Sequence, residues 1–150
     1  MINLDIARPY RSLVNSSHLL EAVRAALRHE GVQDTSALTL VIKGDRTLRK
    51  LNKAYRQIDL PTDVLSFPGG HTDPDTGAPY LGDVVISYQQ AKAHAEHAGH
   101  SVDDELRLLV VHGILHLLGY DHDDPDERAR MWTAQAEILA SLGSGLLQPD

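Results

Sequence analysis

The sequence predicts one domain mixing helices and strands, with four strands and about five helices. Three observations carry that expectation. Apolar residues alternate in short stretches and recur with a helical period in longer ones. Turn and cap residues such as Gly31, Pro61, Pro68, Gly99, Gly119 and Gly143 punctuate them. At 150 residues the chain can bury one core and is too short for two domains of ordinary size.

Ile2, Leu4 and Ile6 alternate with polar residues and predict a first strand. Ser16 or Ser17 can cap a helix carrying Leu19, Leu20, Val23, Ala26 and Leu27, which Gly31 stops. The branched run Leu38 to Ile42 predicts a second strand. Strand, helix, strand in this order suggests a parallel pair joined by a crossover. Asp45 suits the N-cap of a helix running to about Tyr55, with Leu48, Leu51 and Tyr55 toward the core. Pro61 enforces a turn, and Val64 to Phe67 forms a short third strand closed by Pro68.

Residues 69–80 are rich in Gly, Pro and Asp and read as an exposed loop or a hairpin excursion. Leu81 to Ser87 predicts the fourth strand, and a helix from about Tyr88 to Ala98 ends at Gly99. His94, His97 and His100 near its end suit the helix dipole better than a second metal cluster. Ser101 to Asp104 fits a capping-box start for the apolar helix that ends at Leu118, with Gly119 as a left-handed cap. Asp124 and Pro125 open a final helix with Met131, Ile138 and Leu142 on its buried stripe. Residues 143–150 are expected to form a flexible tail.

The chain has no cysteine, which excludes disulfides and leaves nitrogen and oxygen as metal donors. The first ten residues have no basic region and no long apolar stretch, so no signal peptide is expected. No segment has the apolar length of a membrane span, and a soluble cytoplasmic protein is the expectation. The net charge of -7 argues against a nucleic-acid partner until its distribution is considered. Lys43, Arg46, Arg49, Lys50, Lys53 and Arg56 face one acid, Asp45, in a single segment. Six of the fourteen basic residues thus give a local balance of +5 and leave -12 elsewhere. A solvated helix face is the better reading of such a stripe taken alone, and a phosphate-binding role gains ground beside a metal site.

The strongest motif is His112-Gly-Ile-Leu-His116-Leu-Leu-Gly119-Tyr-Asp-His122. On a helix, residues four apart project from one face, and a reversal at Gly119 lets His122 swing back toward the other two. Three neutral imidazoles with a fourth position open are the donor set of a catalytic zinc site. Metzincin proteases carry the same three histidines and glycine, with Glu after the first His as general base. Gly113 stands at that position here and argues against a protease. Asp121 or Asp123 could orient a ligand, although the acidic run to Glu127 also suits a helix start.

Together with Tyr55-Arg56, Pro61-Thr-Asp-Val-Leu-Ser-Phe-Pro68 and Leu81-Gly-Asp-Val-Val-Ile-Ser87, the His motif resembles the YbeY family of bacterial endoribonucleases, also called ribosomal RNA maturation factors. The specific motifs cover roughly residues 45–142, and residues 1–44 agree in pattern. The resemblance implies an α+β fold with a small four-stranded, mostly parallel mixed sheet. It also implies a zinc-dependent single-strand endoribonuclease acting on ribosomal RNA, notably the 3′ end of the small-subunit RNA, and in ribosome quality control. Its partners would be ribosomal RNA and the small ribosomal subunit, with no membrane or DNA. One zinc per chain would sit on His112, His116 and His122, and the family's functionally important arginine falls on Arg56.

A guanidinium there could stabilise charge on phosphate, whereas the plain reading of Arg56 is an ion pair with Asp59 or Asp63. Arg46, Arg49, Lys50 and Lys53 would position the RNA backbone without reading its sequence. Two other functions fit less well. One is a non-catalytic, RNA-binding assembly factor with bound zinc, and the other is a metzincin-like peptidase.

Overall fold

The computed structural model describes residues 1–33, 35–72 and 74–143, so most of the expected tail, from residue 144 on, lies outside the described residues. Among them are strands β1 (Ile2–Ile6), β2 (Ala37–Lys43), β3 (Val64–Thr72) and β4 (Pro79–Ser87). The helices are α1 (Ser16–His29), α2 (Asp45–Arg56), α3 (Tyr88–Ala98), α4 (Val102–Leu117) and α5 (Pro125–Ser141). The strands form one mixed sheet in the order β1-β2-β4-β3. β2 pairs parallel with both β1 and β4, and β3 closes the sheet antiparallel to β4. This is the α+β arrangement expected, with four strands and five helices. No helix of the described residues is long and apolar enough to cross a membrane.

The side-chain alternation of the strands sorts the core into two layers. Leu38, Leu40 and Ile42 of β2 and Val84 and Ile86 of β4 join the main core with α1, α4 and α5. Leu65 and Val85 point the other way and meet Leu48 of α2, flanked by Val41, Leu51 and Phe67. At the centre stands α4, in which Leu106 and every residue from Leu108 to Leu115 are buried. A helix apolar around its whole circumference is stable only when covered on all sides. Each of its buried leucines contributes roughly 1.5–3 kcal/mol relative to exposure. The site is therefore mounted on the most constrained element of the domain.

Three local expectations are corrected. The N-cap of α1 is Asn15, whose side chain accepts from the His18 amide, with Ser16 already in the helix. The N-cap of α2 is Gly44, and Asp45 occupies the first turn. Its carboxylate is taken instead by Ser87 Oγ at 2.7 Å and Gln90 Nε2 at 3.3 Å, which ties α2 to the start of α3. Tyr55 is exposed, with its ring centroid 5.0 Å from that of Phe67 in a T-shaped contact, and Asn52 takes the inward place.

β3 also runs beyond Pro68 to Thr72, so the hairpin form of the 69–80 segment is the one adopted, with its register shifted between Pro68 and His71. β3 is an edge strand, where a residue lacking an N–H is tolerated. The three histidines around α3 do not converge. His94 lies 3.5 Å from Asp63 and His100 bonds Glu105 at 2.7 Å.

His29 joins the end of α1 to α5 through Glu30 and Glu137, each at 2.7 Å. The hydrogen bond to Glu137, then that to Glu30, raises its pKa above 6.5. A raised histidine contributes stability below its unfolded pKa and loses it as pH rises through the folded value. The loss in Tm on His29→Gln is therefore expected to be larger at pH 5.5 than at pH 8.5. Thermal melts of both proteins across that range check it, and an equal loss at both ends would show that the proton is not what holds the contact.

Candidate metal centre

His112 and His116 lie one turn apart near the end of α4. Leu118 follows, Gly119 takes φ +100°, and the Tyr120 amide bonds back to the Leu115 carbonyl at 3.0 Å. Glycine supplies that backbone conformation without steric cost. The reversal returns His122 to the other two, with ring centroids 4.7, 4.9 and 5.7 Å apart. One ring nitrogen from each of the three lies within 4.8 Å of the others.

The partners of the two helical rings set their tautomers. His112 Nδ1 donates to Gln135 Oε1 at 3.0 Å, and His116 Nδ1 donates to the Tyr120 carbonyl at 2.9 Å. Both protons are then on Nδ1, and both Nε2 atoms carry lone pairs. Those lone pairs face each other at 3.2 Å. Such a pairing is repulsive unless a proton or cation lies between them, so the donor set fits a metal ion.

Burial, then the neighbouring His116, pushes His112 down to about 4, outweighing the bond to Gln135. Burial and His122 lower His116 as well. Both rings are thus held in the neutral, metal-binding form at neutral pH. His122 is exposed and is fixed through its backbone. Its amide donates to Asp121 at 2.7 Å, and its carbonyl accepts from Arg128 Nε at 3.1 Å. The bond from the His122 amide keeps the Asp121 carboxyl below its ordinary range.

The rings open into a cavity of about 680 Å³. Thr62 to Ser66 form one wall, Asp121, Asp123, Arg128 and Trp132 line the other side, and Arg56 enters from the end of α2. The structure therefore brings Arg56 to the same cavity as the histidines. Of its two expected partners, Asp59 is bonded to Arg49 at 2.8 Å, and Asp63 lines the same cavity as Arg56 with His94 3.5 Å from its carboxylate. Arg46, Arg49, Lys50 and Lys53 are exposed along α2 and do not line the cavity.

Gly113 is the point where α4 lies against the sheet. Ser66 Oγ donates to its carbonyl at 2.8 Å, and a Cβ there would sit 2.5 Å from Val84 Cγ1.

Gln135, Ser66, Arg128 and Trp132 are absent from the sequence-based site. Gln135 did carry a signal, since it falls on the buried stripe between Met131 and Ile138 and is itself fully buried. A polar residue at a core position needs a specific partner. The others carry no local signal, because their role depends on which elements meet.

Residues 10–143 match the family model described as Endoribonuclease YbeY. The chain belongs to the YbeY family. It is 41% identical over 148 residues to the "Endoribonuclease YbeY" of Roseiflexus sp. (strain RS-1), covering 95% of this chain and 92% of the relative. It is 46% identical over 134 residues to that of Chloroflexus aurantiacus (strain ATCC 29366 / DSM 635 / J-10-fl), covering 85% and 87%. The relative from Dehalococcoides mccartyi (strain CBDB1) is 40% identical over 146 residues, covering 89% and 88%. The solution structure of TM1509 from Thermotoga maritima has a TM-score of 0.57 at 22% identity, covering 94% of this chain and 91% of that one. The likeness to that structure is one of fold. Membership of the YbeY family agrees with the resemblance carried by the four motifs.

Proposed function

We propose that this protein is a metal-dependent endoribonuclease that cuts single-stranded RNA in the cytoplasm. Its substrate is ribosomal RNA at the small subunit, including the 3′ end of the small-subunit RNA, and it serves maturation and ribosome quality control. The observation that carries this reading is the convergence of three imidazoles on a cavity that also holds Arg56. The names of the relatives support RNA as the substrate.

His112, His116 and His122 would hold one zinc ion, a metal suited to three nitrogen donors with a position left open. Bound there, zinc supplies Lewis acidity toward water or a phosphoryl oxygen. The chain's own residues do the rest. Gln135 and the Tyr120 carbonyl keep both Nδ1 protons away from the cavity, so the donor nitrogens stay available. Arg56 binds two phosphate oxygens at once and stabilises the negative charge that gathers on them in the transition state. Lys50, Lys53, Arg46 and Arg49, on the helix that ends at Arg56, position the RNA backbone without reading sequence.

The test is cleavage of a small-subunit ribosomal RNA precursor by zinc-loaded wild type beside an identically purified His116→Ala protein. Cutting by wild type alone supports the reading. Equal cutting by both would point to a contaminating nuclease, and binding without cutting by either would favour a non-catalytic assembly factor. Arg56→Lys keeps the charge but loses the planar fork. It is expected to lower kcat/KM by about 10–100-fold, on the order of the loss of one charge-assisted hydrogen bond. Unchanged cleavage by that variant would remove Arg56 from the chemistry.

A further inference from the structure

Five large apolar side chains are exposed among the described residues, and three of them, Tyr55, Ile58 and Leu60, fall within six positions. Single exposed apolar residues need no explanation, whereas a cluster does. Tyr55 is 65% exposed, Leu60 64% and Ile58 39%. The backbone beneath them is pinned. Gln57 turns the chain at φ 60°, and its amide and that of Ile58 bond back to Lys53 and Asn52 of α2. The buried Asn52 side chain holds the Leu60 carbonyl at 2.9 Å, and Arg49 holds Asp59 at 2.8 Å. These apolar groups are presented to solvent by a fixed frame rather than left over from a loose loop.

Their surroundings name the occupant. Tyr55 stands between Lys53 and Arg56, on the helix that also carries the exposed Arg46, Arg49 and Lys50. Arg56, the next residue, lines the cavity of the three histidines. The Phe67 ring packs against Tyr55 in a T-shaped contact, with centroids 5.0 Å apart. Exposed aromatic rings interleaved with cations are the elements of a single-strand platform, where bases stack and the backbone follows the charges.

We propose that Tyr55 stacks on an unpaired base of the RNA next to the phosphate bound by Arg56, with Ile58 and Leu60 extending the apolar floor for the strand. This rests on the endoribonuclease reading and gives it a physical source of single-strand preference. A base inside a duplex has both faces covered and cannot take the ring.

The test is fluorescence anisotropy of a short, labelled, unstructured RNA and its abasic counterpart in a chelating buffer, so that binding is read without cutting. Tyr55→Ala is expected to weaken RNA binding by about 5–100-fold, the range of one lost base stack. Tyr55→Phe and Tyr55→Trp are expected to stay within about twofold, since both retain the ring. Wild type should bind the abasic strand about as weakly as Tyr55→Ala binds RNA. The slope of log Kd against log salt should not change, because no phosphate contact is lost.

Equal RNA binding by Tyr55→Ala and wild type would overturn the stacking proposal, leave the nuclease reading standing and make the patch a protein-docking surface. Tyr55→Leu binding as tightly as wild type would also overturn it, since greasy contact without a ring would then suffice. Wild type binding neither strand would overturn both the platform and the RNA-directed function.

Discussion

His116→Ala is expected to remove stoichiometric metal from the protein and to lower RNA cleavage by at least about 100-fold. The lower bound follows from metal sites in which loss of an outer partner alone costs 10–100-fold, and a ligand is worth more than its support. The change leaves two donors. One of them, His122, is exposed and is held through its backbone contacts to Asp121 and Arg128. The fold should survive, because His116 is only half-buried and, among the described residues, its ring donates to the short reversal at the Tyr120 carbonyl and otherwise faces His112 with no proton between them. Metal content after dialysis, measured beside the far-UV circular dichroism of the same sample, checks both statements. Full metal occupancy in a folded His116→Ala protein would show that the ion binds elsewhere.

Gly113→Ala is expected to destabilise the protein although alanine is the better helix former. The helix propensity gain is about 1 kcal/mol. Against it stands a Cβ 2.5 Å from Val84 Cγ1 and 3.3 Å from both Ser66 Oγ and Val64 Cγ2. Val84 is fully buried and branched at Cβ, so it cannot swing aside. Overpacking of this kind costs about 1–3 kcal/mol, and α4 would have to lift from the sheet to relieve it. The net expectation is a loss of up to roughly 2 kcal/mol and a fall in Tm of up to several degrees. Denaturant unfolding of Gly113→Ala beside wild type measures it, and equal or greater stability would show that Val84 yields. Gly113→Glu is expected to misfold rather than yield a peptidase, because the position that holds the metzincin base is a packing contact here.

The sequence by itself carried the parts that depend on local spacing. The i, i+4 histidines, the left-handed Gly119 and the return to His122 are short-range geometry, and the structure places their nitrogens together. The branched run of β2 and the apolar circumference of α4 likewise read directly as buried elements. Tyr55 misled, because helical period says which face is inward and does not say where the neighbouring sheet ends. Pro68 misled for a related reason, since whether a strand can hold a proline depends on whether it lies at an edge.

Only the tertiary structure decided three further things. It paired Gln135 with His112 across 23 residues, brought Arg56 of α2 to the histidines of α4, and gave Gly113 its purpose against Val84. Each is a contact between elements far apart in the chain, set by how the helices close on the sheet. A pattern of residues records which side of an element is apolar, but which partner meets it is determined by the packing of the whole core.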